Sequence, residues 1–221
     1  MKELKFIHIT KNAGTSISNL GAQVGLEWGS FHKEYGWWHS KFSAKSFIFK
    51  AQYDWFMVVR NPYTRMISEF HCKWGGVGNK ASKYNTSEFN DLLCNFIMMY
   101  APKAKGGHYT PQYDYINGVR RKVHKIHVLR FENLKEEFEN LMELYGHDLK
   151  LNLHTVKSKK KFGVGQLEPQ TIRLIKNVYE KDFKHFNYST EISYYQNVKY
   201  KYKVVSLWPY KMERMKDIKK I

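Results

Sequence analysis

Two short stretches of the chain hold residues suited to binding anions. The first is Ile9-Thr10-Lys11-Asn12-Ala13-Gly14-Thr15-Ser16, which follows an apolar segment and precedes a helical pattern. Where a strand turns into a helix, the first helical N–H groups lack intrahelical partners and the helix dipole favours negative charge. Gly14 lets the backbone approach a phosphate, Thr15 and Ser16 add hydroxyl donors, and Lys11 adds positive charge. The second stretch, VVRNPYTRMISEF, puts Arg60 after an apolar run, a turn at Asn61-Pro62, and Ser68 on the helix expected next. An Arg and a Ser so spaced can converge on one phosphate. Each stretch alone also fits a plain reading, an ordinary capped turn in one case and a structural Arg with a surface Ser in the other.

The first stretch is not a Walker A loop, because its Lys precedes the Gly instead of following it. That disfavours a nucleotide kinase of the usual P-loop type. Groups able to take a proton near neutral pH are His32, Glu34, His39 and His108. His71-Cys72 and the scattered histidines lack zinc-ligand spacing, so no metal is expected.

The elements that must position these residues alternate in type. Apolar alternation over Leu4–Ile9 predicts a strand, and Ser16–Val24 a helix. The run Trp55–Val59 predicts a central parallel strand, followed by a helix that Pro62 starts and Met66, Ile67 and Phe70 stripe. Thr86 or Ser87 is expected to cap a helix carrying Phe89, Leu92, Leu93, Phe96 and Ile97. Ile126–Leu129 predicts another strand. Asn133 with Glu136 reads as a capped start for a helix that Gly146 stops. A last helix is expected from Pro169 to about Phe183. Strands alternating with helices predict an α/β fold of three layers, P-loop-like, with a central mainly parallel sheet flanked by helices and ligands beyond the strands' carboxyl ends.

The 221 residues suffice for one sizeable domain, and 43% hydrophobic with 16% aromatic residues favours a folded chain. A net charge of +17 suits phosphates, sulfates, acidic glycans, nucleic acid or anionic surfaces. Charge and an aromatic-basic tail keep a nucleic-acid-binding protein as one alternative. No helix-turn-helix or RNA-recognition signature supports it, so no nucleic acid partner is expected. Two cysteines imply no disulfide framework, and no apolar run reaches signal-peptide or membrane-spanning length. A cytoplasmic protein with no transmembrane segment is expected.

Together the two stretches resemble the sulfotransferase superfamily, and most closely the branch of heparan- and chondroitin-type carbohydrate sulfotransferases. In that family, I-P-K-x-A/G-G-T-S holds the 5′-phosphosulfate of 3′-phosphoadenosine-5′-phosphosulfate (PAPS), and R-N/D-P-x-x-R-x-x-S holds the 3′-phosphate. Thr10 and Asn12 depart from the usual Pro and Thr. Weaker echoes are His108-Tyr-Thr-Pro-Gln112, Val128–Leu134 and Tyr179–Tyr188. The likeness implies a sulfotransferase domain over residues 1–190, with 191–221 a basic aromatic extension packed on it.

By this resemblance the loop Lys11, Asn12, Ala13, Gly14, Thr15 and Ser16 holds the 5′ end. Arg60 and Ser68 hold the 3′-phosphate, Arg65 is partly structural, and Lys160 belongs to a late basic loop closing over the nucleotide. His108 and Gln112 are expected at the substrate. The acceptor is expected to be a hydroxyl, on a carbohydrate or another molecule that can be anionic. In-line sulfonate transfer then rests on positioning and electrostatics. Lys11 stabilises the bridging oxygen and no metal is needed. The family's base lies between the two motifs, which points to His39, with His32 second. Gly75-Gly76-Val77-Gly78 reads as a flexible loop near the cleft, a candidate lid.

Overall fold

The computed structural model describes residues 2–28, 39–44, 47–103, 106–119, 124–151, 161–192 and 205–206. Three parallel strands, β1 (Leu4–Ile7), β2 (Asp54–Val59) and β3 (Ile126–Arg130), lie in chain order, and β4 (Val205–Ser206) adds antiparallel to β3. Met57 stands beside Ile7 on one side and Val128 on the other.

Every residue of β2 is buried, because both faces of the sheet are covered. Trp55, Met57 and Val59 enter one core with Ile67, Phe70, Phe89 and Ile175. Phe56 and Val58 enter the other with Ile17, Phe138 and Leu141. The first core is closed by α3 (Pro62–Phe70), α4 (Thr86–Tyr100) and α6 (Pro169–Val178), and the second by α1 (Gly14–Gln23) and α5 (Leu134–Leu144). A short helix, α2 (Phe47–Gln52), leads into β2. The result is the three-layer α/β arrangement expected from the alternating pattern.

Three local details differ from the expectation. The cap of α4 is Asn85, not Thr86 or Ser87: it accepts from Glu88 N at 3.0 Å while Glu88 returns a bond to Asn85 N at 2.7 Å. Asn133 makes no side-chain cap bond at the start of α5. The last helix is two, α6 and α7 (Glu180–His185), parted at Tyr179, whose buried hydroxyl donates to Tyr109 O at 2.8 Å. Among the described residues no helix is long and apolar enough to cross a membrane. Trp28 is buried core, whereas Phe31, Tyr35, Trp37, Trp38 and the aromatic residues of the tail lie outside the described residues.

Candidate active site

The loop after β1 is a strained turn. Lys11 and Ala13 both adopt φ of 61°, a left-handed conformation that costs about 1–2 kcal/mol per non-glycine residue. Such turns curl successive N–H groups toward one side, as in anion-binding nests. No side chain caps α1 and no acid occupies its first turn. Thr15 and Ser16 are exposed there, so the helix start is open to an anion.

Buried bonds hold this turn from below. Asn12 is fully buried, and its Nδ2 donates to Val58 O and to Gln112 Oε1, each at 2.7 Å. Its side chain is therefore a brace, and only its backbone can face a ligand. Thr10 O accepts from Arg65 Nε at 3.2 Å, and the Thr10 hydroxyl accepts from Arg65 Nη2 at 3.1 Å and donates to Glu69. Arg65 is wholly buried in this role. Gly14 has a reason beyond ligand approach: a Cβ there would lie 2.0 Å from the His8 ring.

The second loop closes onto the first. Asn61 caps α3 by accepting from Tyr63 N at 2.9 Å and Thr64 N at 3.2 Å, with Pro62 in the first turn. Arg60 donates from Nη1 to Lys11 O at 3.2 Å and from Nε to Thr64 Oγ1 at 3.0 Å, with its guanidinium 4.0 Å from the Phe131 ring centroid. Burial pulls the guanidinium down to about 10, offset by Glu132, so it remains charged at neutral pH. Glu132 accepts from Asn61 N at 2.9 Å and from the Tyr188 hydroxyl at 2.8 Å. Ser68, on α3, is buried, with 6% of the residue exposed.

Gln112 sits behind both loops and not at a substrate surface. It is fully buried, and its amide bonds Asn12, the backbone of Arg60 and Asp182. The expected substrate contact has to be corrected: every polar atom of this side chain is committed to protein. Asp182 accepts from Gln112 N at 2.9 Å and Tyr113 N at 2.7 Å, and burial raises its carboxyl to about 6.

Three imidazoles gather beside the first loop. His39 Nδ1 lies 3.1 Å from His8 O. A carbonyl only accepts, so Nδ1 carries the hydrogen and the neutral ring keeps a lone pair on Nε2. Burial lowers the His39 pKa, with the His8 carbonyl and Glu69 working against it and His108 and Arg65 adding to it. Its ring stands 4.6 Å from His8 and 6.2 Å from His108, centroid to centroid. His108 Nδ1 is 2.6 Å from Glu69 Oε2. Gly75 packs here, since a Cβ would come within 2.4 Å of His108 Nδ1. The Gly75–Gly78 segment, pinned also by Val77 N to Phe70 O at 2.8 Å, is a packed support and not the lid expected. Cys72 Sγ, Glu69 and His108 bring ligand-capable atoms within 4.8 Å of one another. The carboxylate is already engaged by His108, Thr10 and Arg65, so the trio is better described as packing around a carboxylate that protein groups hold.

His32, Glu34 and Lys160 lie outside the described residues. Neighbouring Lys161 donates to Ser82 O at 2.9 Å and Tyr84 O at 2.5 Å. Sequence reasoning missed His8 and Glu69. The i,i+4 spacing of Arg65 and Glu69 in a helix striped by Met66, Ile67 and Phe70 was the available signal for the second.

The arrangement pairs an uncapped helix start and two cations with proton-accepting imidazoles, which suits in-line transfer of an anionic group. A family model described as Sulfotransferase family matches residues 3–189. No curated protein matches the chain.

Proposed function

The chain belongs to the sulfotransferase family, and from that premise we propose that it transfers a sulfonate group from PAPS to a carbohydrate hydroxyl. The observation that carries the reading is the bond from Arg60 to Lys11 O, which brings the two loops read as anion sites into contact.

The residues present fit such a donor. The open start of α1 and the left-handed turn offer N–H groups to the 5′ end, with Lys11, Thr15 and Ser16 beside them. Arg60 and Ser68 are the ligands for the 3′-phosphate. When bound, PAPS supplies the sulfonate group and departs as adenosine 3′,5′-bisphosphate. Lys11 balances charge gathering on the oxygen that leaves sulfur, the role a metal ion plays elsewhere. His39 Nε2 takes the acceptor's proton, because Nδ1–H is tied to His8 O and burial keeps the ring neutral. A carbohydrate acceptor is supported by the likeness of both motifs to the carbohydrate branch and by the +17 charge, which suits an anionic glycan.

The test incubates the protein with radiolabelled PAPS and a panel of glycans and simple alcohols. Transfer to a glycan, lost in Lys11→Ala and in Arg60→Ala, is the expected result. Full activity in both variants would overturn the site.

A further inference from the structure

Glu69 lies on α3 next to Ser68 and is fully buried. Burial pushes its carboxyl up, but the His108 hydrogen bond and the Arg65 charge outweigh this and hold it below the ordinary value. A buried carboxylate that stays ionised needs partners on both oxygens. One oxygen takes the Thr10 hydroxyl and stands 3.8 Å from Arg65 Nη2, and the other takes His108 Nδ1 at 2.6 Å. A carboxylate only accepts, so Nδ1 of His108 carries the hydrogen and Nε2 is the nitrogen left to exchange a proton. The His108 side chain is 27% exposed and its ring is 6.2 Å from that of His39. Two imidazoles therefore stand side by side, each with its Nδ1 engaged by protein. His39 is backed by a carbonyl, whereas His108 is backed by a full negative charge. Among the described residues, Arg65 on α3, Cys72 just beyond it, His39 and the buried Tyr109, Tyr115 and Tyr179 are further ionisable groups around the pair.

We propose that His108 is a second catalytic residue, which accepts on Nε2 the proton that the acceptor hydroxyl gives up to His39, with Glu69 the positioning residue that orients the ring and balances its charge. This rests on the sulfonate-transfer reading. The hydroxyl O–H bond breaks as its oxygen bonds to sulfur and the donor's S–O bond breaks. The proton goes to His39 Nε2, passes through one bridging water to His108 Nε2, the rings being 6.2 Å apart, and leaves through the exposed side of that ring. His39 returns neutral, and nothing is oxidised or reduced. A carboxylate behind an imidazole serves this purpose in hydrolytic triads.

The experiment compares wild type, His108→Ala and His108→Ala supplied with imidazoles of graded basicity. Expected is a loss in kcat of roughly 10²-fold, with the KM for PAPS and the binding of adenosine 3′,5′-bisphosphate unchanged. Turnover should return with added imidazole, and more so for the more basic ones. In Glu69→Gln/His108→Ala that rescue should vanish. Three results would overturn the proposal: an unchanged kcat in His108→Ala, a loss confined to the acceptor KM, or rescue indifferent to basicity, which marks mere cavity filling. If the double variant does not fold, the His108 series decides alone. A wild-type protein that transfers nothing overturns the sulfonate-transfer reading itself, a result distinct from any of these three.

Discussion

Gln112 pairs with the backbone of Arg60 as a neighbouring strand would: its Oε1 accepts from Arg60 N at 2.8 Å and its Nε2 donates to Arg60 O at 2.8 Å. The same amide oxygen takes Asn12. One buried side chain thus joins the loops that follow β1 and β2. Gln112→Ala should leave several buried polar groups unpaired and cost about 2–5 kcal/mol. Urea unfolding measures this, and a loss under 1 kcal/mol would return Gln112 to a ligand-facing role.

Arg60 is expected to act on the nucleotide more than on stability. Replacing it with Ala removes a charge-assisted contact, which predicts adenosine 3′,5′-bisphosphate binding weaker by roughly 10- to 100-fold. Calorimetric titration gives the value, and undiminished affinity would place the 3′-phosphate elsewhere.

In the proposed transfer, His39 as the base sets the acid side of the pH profile. The group works when neutral, and burial lowers its pKa below the ordinary 6.5. Its neutral form therefore persists to lower pH than usual. kcat/KM should rise along a limb lying below pH 6.5 and stay flat above it, and His39→Gln should lose roughly 10²–10⁴-fold. A limb lying above 6.5 would assign the step to another group.

Gly14→Ala should damage folding and donor binding together. Its Cβ would press on the buried His8 ring at 2.0 Å and displace the first turn of α1. A loss of roughly 1–3 kcal/mol is expected. Thermal melts with and without adenosine 3′,5′-bisphosphate separate the two effects, and a variant melting like wild type with its nucleotide shift intact contradicts the packing argument.

Glu137, buried on α5 with Oε2 accepting from Arg130 N at 2.6 Å, has its carboxyl raised from 4.5 to about 8 by burial. The unfolded chain ionises it above 4.5 while the folded chain keeps the proton to about 8. Stability from this group is complete below 4.5 and is lost as pH rises through that interval. Glu137→Gln should remove this slope and exceed wild type at pH 9 by roughly 2–4 kcal/mol. Urea midpoints across pH give the comparison, and parallel slopes would show that Glu137 ionises normally.

The parts of the site that local chemistry defines were legible in the chain. A strand, a small-residue turn and a helix start announce an anion site at Lys11–Ser16, because unpaired N–H groups follow from any helix start. The positions of Arg60 at the end of β2 and Ser68 on α3 were legible from the strand–turn–helix pattern, and β2 from an apolar run that only a strand covered on both faces can bury. What spacing could not supply was the partner of each polar group. The Gln112 echo looked like a substrate contact, yet it fastens Arg60, Asn12 and Asp182, which lie 52, 100 and 70 residues from it in the chain. The glycines at 14 and 75 looked like ligand approach and lid, and each makes room for an imidazole.

By itself the chain determined the strand–turn–helix units and the positive charge they carry, since these depend on neighbours in sequence and on helix geometry. Only the tertiary structure decided which histidine gains a carboxylate, which amide becomes a brace and which loops share a cleft. Burial and hydrogen bonding are set by whatever the fold brings alongside, and Glu69 meets His108 across 39 residues of chain that no local pattern records.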